Sequence, residues 1–350
     1  MRKFASFCLI FVMSISMLCV PAMAAEEGSF SLPDDELICE MGRFISDSVV
    51  PFGSDFAANH YDELKVGDAI PTYSLDQGSD SIHPCEIQYY PISADSQIIG
   101  LLGAFLDDQG NYLFSYSEGY SETINSVLAE DAKIALLGDG THFEILTDSN
   151  QARTIDDSEV EDSVANLRFI DPYEKLYSLN ITTNAEQIPS AHSLPSSYSL
   201  SVPTKYRSER WDCWAACVAS VGQYYTGIKK SSLQVADAVG IYEGADVYET
   251  RDALSSVYGV NASVYGGSLS PLEVEETLYY DETPIIAGMQ PVRGGVGHMV
   301  VIKGYSTGSY YTSLSIMDPE EGSTAVSIST SNPIQFPLFG ETFKMTAYII

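Results

Sequence analysis

Cys213, His298 and Asp318 are the residues whose types and order could carry covalent chemistry. A thiol attacks only as the thiolate, and a free cysteine titrating near ~8.5 supplies little of that form at neutral pH. A helix start lowers this value through its dipole and unpaired N–H groups, and a neighbouring imidazolium lowers it further. In "RWDCWAACVASVGQYY", residues 210–225, Cys213 stands at the expected start of a helix, with Asp212 as a possible cap. Both tryptophans of the chain, Trp211 and Trp214, flank it. His298 is the only histidine after Cys213 and lies in "RGGVGHMVVIKGY", where a glycine-rich loop, Gly297 included, runs into a strand. Asp318 ends the expected strand "SLSIMDP". A carboxylate there can accept from one ring nitrogen, fix the tautomer and support the imidazolium. The plainer alternatives are a buried apolar thiol for Cys213, a satisfied core histidine for His298 and turn chemistry before Pro319 for Asp318. Cys217, one turn further along, reads as core packing. Two cysteines at this spacing and one histidine leave a fourth zinc ligand unexplained, so no metal and no other cofactor is expected.

Positioning these groups is the task of residues 204–350, where helices come first and strands follow. Helices are expected from Trp211 to Tyr225 with a stop at Gly227, from Ser231 or Ser232 to Gly240, and from Val247 to Tyr258 with a stop at Gly259. In "SPLEVEETL", Ser270, Pro271 and Glu273 form a capping-box start. Strands are then expected in "TPIIAGMQ", "GHMVVIKGY", "LSIMDP", "AVSIS" and "FKMTAYII". Helices segregated from an antiparallel sheet are an α+β plan.

Residues 25–184 read as a separate α+β module. Ser31, Pro33 and Asp34 start a helix with Leu37, Ile38, Met41, Phe44 and Ile45 on one face. "CEIQYYPI" reads as a strand, "QIIGLLGAFL" and "NYLFSYS" as a hairpin around "DDQG", residues 121–138 as one helix ending at Gly138, and "THFEIL" as a further strand. His60, His83 and His142 are isolated and read as surface or packing residues. The Ser- and Pro-rich stretch 185–203 is expected to be an exposed linker open to proteolysis. At the other end, Arg2 and Lys3, the apolar run Phe4–Val20 and "AMA" before Ala25 form a secretory signal peptide cut after Ala24, with a retained membrane anchor as the alternative. Cys39 and Cys85 lie in the acidic module, where export permits but does not require their pairing. Cys213 and Cys217, one helical turn apart, are badly oriented for a bond.

The formal net charge is −31, from 17 basic and 48 acidic residues. It is uneven: residues 25–199 hold 6 basic and 32 acidic residues, and residues 200–350 hold 9 and 16. A field of that sign repels nucleic acid and anionic membranes, and the chain is expected to act as an extracellular, soluble protein.

"DCWAACVAS", "GHMVVIKGY" and "IMDP", in this order, resemble the papain-like cysteine peptidases of bacteria, in particular the secreted C39-like and staphopain-related groups. The resemblance covers about residues 200–350. It implies Cys213 as nucleophile, His298 as base and acid, and Asp318 as the orienting third member. It also implies a two-part fold, a helical half against an antiparallel β half, with a peptide or protein substrate in the cleft between. Trp214 is expected to pack behind the nucleophile at the cleft, Trp211 to line the groove beside it or shield the thiol, and Gly297 to border the cleft; plain packing is the alternative for both tryptophans. The N-terminal module stands where such enzymes carry an inhibitory prosegment; a permanent partner domain is the alternative. The family's oxyanion glutamine would fall about six residues before the cysteine, and Arg207 occupies that position. This departure opens a second reading, an inactive relative that binds peptides. A third is a cell-wall peptidoglycan amidase or endopeptidase, but that type has a small pair after the cysteine and a shorter interval to the histidine than the 85 positions here (298 − 213).

Overall fold

The computed structural model describes residues 33–52, 64–75, 82–107, 110–130, 132–138, 142–148, 167–179, 194–209, 211–328 and 333–350. The expected signal segment, Ser31, His60 and residues 185–193 lie outside them.

The N-terminal region begins with helix α1 (Asp35–Phe44), which continues into a π-helical turn, Ile45–Val49. Its cap is Asp34, whose carboxylate accepts the Leu37 N–H at 2.8 Å. Strands β1 (Lys65–Gly67), β2 (Thr72–Leu75), β3 (Ile82–Pro84), β4 (Gln88–Ala94), β5 (Gln97–Leu106) and β6 (Tyr112–Ser117) follow. Helix α2 (Ser121–Leu128), β7 (Ile134–Gly138), β8 (Phe143–Thr147) and β9 (Leu176–Ser178) complete the region. The single helix expected over 121–138 is corrected: it ends at Leu128, and "IALLG" is a strand, wholly buried and paired in parallel with β2. A short, continuous apolar run suits a buried strand as well as a helix, and here the distant partner decides.

After β10 (Ser197–Ser199) come α3 (Cys213–Thr226), α4 (Ser232–Val239), α5 (Val247–Tyr258), β11 (Val264–Gly266) and α6 (Pro271–Tyr279). Strands β12 (Ile285–Pro291), β13 (His298–Thr307), β14 (Thr312–Asp318), β15 (Gly322–Ser327), β16 (Gln335–Leu338) and β17 (Glu341–Ile349) form the β half. Residues 214–222 of α3 are all buried, so this helix is apolar all round and runs through the core instead of lying on it. It stops at Gly227, whose φ of 72° suits glycine. Capping boxes start α4 at Ser231 and α6 at Ser270. The fold is α+β, helices packed against an antiparallel sheet, as expected.

The expected linker is corrected in its second part. Ser197–Ser199 pairs with Gly304–Ser306 of β13, and Leu200 and Val202 are buried. The apolar residues spaced among the serines supply that anchoring.

The sheet itself runs through both regions in the order β11-β17-β12-β13-β14-β15-β6-β5-β4-β1-β9, with β10 on β13 and β16 on β17. The junction is antiparallel, Ser115–Ser117 of β6 against Thr324–Val326 of β15. A second, four-stranded sheet, β3-β2-β7-β8, lies beside it. One apolar cluster spans both regions, joining Tyr89, Tyr120 and Phe143 to Trp214, Phe339 and Phe343. All four described cysteines are free, Cys39 exposed and Cys85 half-buried.

Candidate active site

Cys213 is the first residue of α3. Asp212 is not its cap: φ is −103°, and the side chain makes no bond to the helix. The buried carboxylate turns back and accepts the Ser208 and Glu209 N–H groups, each at 3.1 Å. Two backbone donors satisfy it there, so it fixes the loop that carries Arg207 into the helix. Immediately after Cys213, Trp214 is fully buried, and its Nε1–H donates to the Glu243 carbonyl at 3.0 Å.

His298 begins β13 and Asp318 ends β14. The two strands are antiparallel neighbours, so the start of one meets the end of the other. His298 Nε2 lies 3.0 Å from Asp318 Oδ2, and both side chains are buried. Asp318 Oδ1 accepts the N–H groups of Glu320 at 2.7 Å and Glu321 at 3.3 Å, which orients the carboxylate. The second face of the imidazole is closed by Phe339, edge-on with centroids 5.4 Å apart.

The His298 ring also neighbours the Cys213 thiol, and each acts on the other's titration. With Nε2 turned to Asp318, Nδ1 is the nitrogen left for sulfur. Burial pushes the Cys213 thiol up, but the hydrogen bond and charge of His298, the Met299 N–H and the Arg207 charge overcome it and hold the thiol below its ordinary value. Burial pulls the His298 imidazolium down, and the opposing charge and hydrogen bond of Asp318, with those of Cys213, push it up to about 10. The balance favours a thiolate–imidazolium pair. Cys217 is the internal contrast: fully buried and without a cationic partner, its thiol is pushed well up.

These groups open into a cleft of about 890 Å³. Cys213, His298, Gly297, Arg207 and Trp211 line it, and Trp211 is exposed. Trp214 packs behind Cys213: it lies beneath the surface and supports the cleft wall at Glu243 without lining the cleft. At Gly297 a Cβ would meet Gln290 Nε2 at 2.4 Å and the Met289 carbonyl at 3.0 Å, so the glycine there serves a close approach between chain segments. The Arg207 N–H donates to the Pro319 carbonyl at 2.9 Å, and its Nε pairs with Glu320. The guanidinium is thereby tied to the turn that follows Asp318. Sequence reasoning missed Gln290, which lines the cleft with Met289 and Met299. Its signal was a lone exposed polar side chain in the otherwise buried run of β12.

Residues 196–333 match the family described as papain-like cysteine protease AvrRpt2. This segment is similar to papain-like cysteine proteases. The match spans less than half of the chain and includes Cys213, His298 and Asp318. It is to a different group from the C39-like and staphopain-related ones expected above. The motifs that carried that expectation lie immediately around Cys213 and His298, residue types that several groups of such peptidases share. No curated protein matches the chain. Among solved structures, a mite-allergen chain from a study of Blo t 1 and Der p 1 shares 12% identity at a TM-score of 0.32, covering 45% of this chain and 73% of its own. UfSP from C. elegans shares 13% at 0.27, covering 44% and 33%. Both likenesses are faint, and the papain-like site is described by its own geometry.

Proposed function

We propose that this chain is an exported cysteine endopeptidase that cleaves peptide bonds in an extended peptide or protein substrate. The observation that carries the reading is the buried His298–Asp318 hydrogen bond beside the Cys213 thiol, with cysteine and histidine opening into one cleft. In the reaction the Cys213 thiolate adds to the scissile carbonyl carbon. His298 passes its Nδ1 proton to the departing amine, leaving a thioester on Cys213. Water, deprotonated by His298, then hydrolyses the thioester and restores the thiolate. Asp318 holds the ring and stabilises its charged form throughout.

Developing charge on the carbonyl oxygen needs donors. The Cys213 backbone N–H at the helix start is one. Arg207 is the second in this reading, supported by its position in the cleft and its electrostatic effect on the thiol. The rival reading, a peptide-binding protein without activity, draws on the same residue, because Arg207 is already paired with Glu320.

Alkylation of the secreted protein by iodoacetamide or an E-64-type epoxide separates the two. Near pH 6, well below the ~8.5 of an ordinary thiol, selective adduct formation at Cys213 that disappears in His298→Ala is the expected result. Labelling no faster than a model thiol overturns the enzyme reading.

A further inference from the structure

We propose that the N-terminal region is a permanent rear wall of the active site, with Gly119, Tyr89 and Phe143 as positioning residues for His298 and Asp318. This rests on the peptidase reading above and differs from the removable inhibitor that the resemblance implied. Among the described residues, none before Arg207 lines the cleft. The contacts of the region fall behind the histidine and the aspartate instead.

Two clamps carry the inference. The first acts on Asp318. Its Oδ1 is oriented by the N–H groups of Glu320 and Glu321, so the turn after β14 sets the carboxylate. That turn is pressed by the β6–α2 loop. A Cβ on Gly119 would meet the Glu321 carbonyl oxygen at 2.5 Å and its Cα at 2.9 Å, both backbone atoms. Next to it, Ser117 sits opposite Thr324 in the sheet junction, and the Thr324 hydroxyl donates to the buried Glu321 carboxylate at 3.4 Å. Burial beside Asp318 pushes Glu321 up to about 8, which fits a wall that excludes water.

The second clamp acts on His298 through Phe339. This residue is fully buried with φ of 48°, a conformation that a bulky side chain adopts only where its surroundings impose it. The surroundings here are N-terminal. A Cβ on Gly138 would meet the Phe339 carbonyl oxygen at 2.6 Å. The Gly340 N–H donates to the Tyr89 hydroxyl at 3.1 Å. Phe143 packs edge-on against Phe339 at 6.1 Å and is itself held by Tyr89 at 4.7 Å. Phe339 in turn fixes the face of the imidazole. A strained residue wedged between an aromatic cluster and a catalytic ring transmits the position of the cluster to the ring.

The test uses the full chain and the pH profile of Cys213 alkylation by iodoacetamide. Gly119→Ala and Phe143→Ala should move the acidic limb of the profile upward by about one pH unit, a roughly tenfold loss of labelling near the bottom of that limb. Tyr89→Phe keeps the ring and removes only the hydroxyl that holds Gly340, so it decides the matter if the other two do not fold; a shift in the same direction of roughly threefold is expected. Met41→Ala loosens the same region at a buried site outside both clamps and should leave the profile unchanged. The inference is overturned if the folded clamp variants keep the wild-type profile, or if Met41→Ala shifts it equally. Wild-type Cys213 labelling no faster than a model thiol is a different failure, that of the peptidase reading itself.

Discussion

On one side of the cleft, Cys213 is held by neighbours in sequence. Asp212 ties down the loop before it, Trp214 anchors to Glu243, and Gly227 ends the helix. On the other side, His298 and Asp318 sit at the ends of two strands and are held by residues from far away, Phe339 ahead and Ser117, Gly119 and Phe143 behind. The difference follows from the elements. A helix makes its own hydrogen bonds and can place a first-turn residue alone. A strand end takes its geometry from whatever lies beside it. The Cys213 side is therefore a local feature and the His298–Asp318 pair a global one.

The sharpest break of this comparison is within α3 itself. Cys213→Ala should abolish peptide hydrolysis, a fall of roughly 10⁶-fold in kcat if removal of the nucleophile costs what it does in other covalent hydrolases. Cys217→Ala, one turn away and fully buried, should keep activity and the alkylation profile of Cys213, and cost only packing. A matched loss in both would mean that the helix, not the thiol, carries the effect.

Next in size is Asp318→Asn, expected to lower kcat by roughly 10³–10⁴-fold. The sign of its pH effect is fixed by the charge. Asp318 favours the protonated ring and helps push His298 up to about 10. In the wild type the imidazolium needed by the leaving amine is lost only as pH rises through that value. Without the carboxylate charge the ring titrates closer to its ordinary ~6.5, so the alkaline limb should move down. A pH–rate profile of residual activity reads this directly, and an unmoved alkaline limb would detach Asp318 from the relay.

Legibility divides along the same line. The ends of α3, α4, α5 and α6 stand in the sequence as Ser231, Ser270 and Glu273, and as Gly227, Gly240 and Gly259, because caps and left-handed stops are decided by a few adjacent residues. The meeting of Cys213, His298 and Asp318 was also legible, since the order of types constrains it. What was not legible is long-range. "IALLG" becomes a strand only because Thr72–Ser74 lies alongside. The sheet junction at Ser115–Ser117 and the left-handed turn at Phe339 have no local marker. Asp212 has the composition of a cap, and its real partners, Ser208 and Glu209, come from the loop that precedes it.

Arg207 lies between the two sides, tied by Glu320 to the aspartate turn and lining the cleft near the cysteine. Arg207→Ala should lower kcat by roughly 10²–10³-fold with a smaller change in KM, as for loss of one oxyanion donor. Arg207→Gln should recover part of that loss, because a side-chain amide can donate to the same oxygen. Equal losses in both variants would assign the arginine to holding the turn instead.

The smallest effect separates support from chemistry. Trp214→Phe removes the Nε1–H bond to the Glu243 carbonyl while keeping an aromatic ring in the core. The orphaned carbonyl and the lost volume should cost about 1–3 kcal/mol, measured as a lower denaturant midpoint at constant slope. The Cys213 alkylation profile should not move, because Trp214 acts on the Glu243 wall and the thiolate is set by His298, Met299 and Arg207. A destabilised protein with an intact profile on the helix side, beside a shifted profile from the clamp variants on the strand side, is what a locally held nucleophile and a remotely held relay require. If Trp214→Phe moved the profile as far as Phe143→Ala, the two sides of the cleft would be held in the same way and the distinction between them would fall.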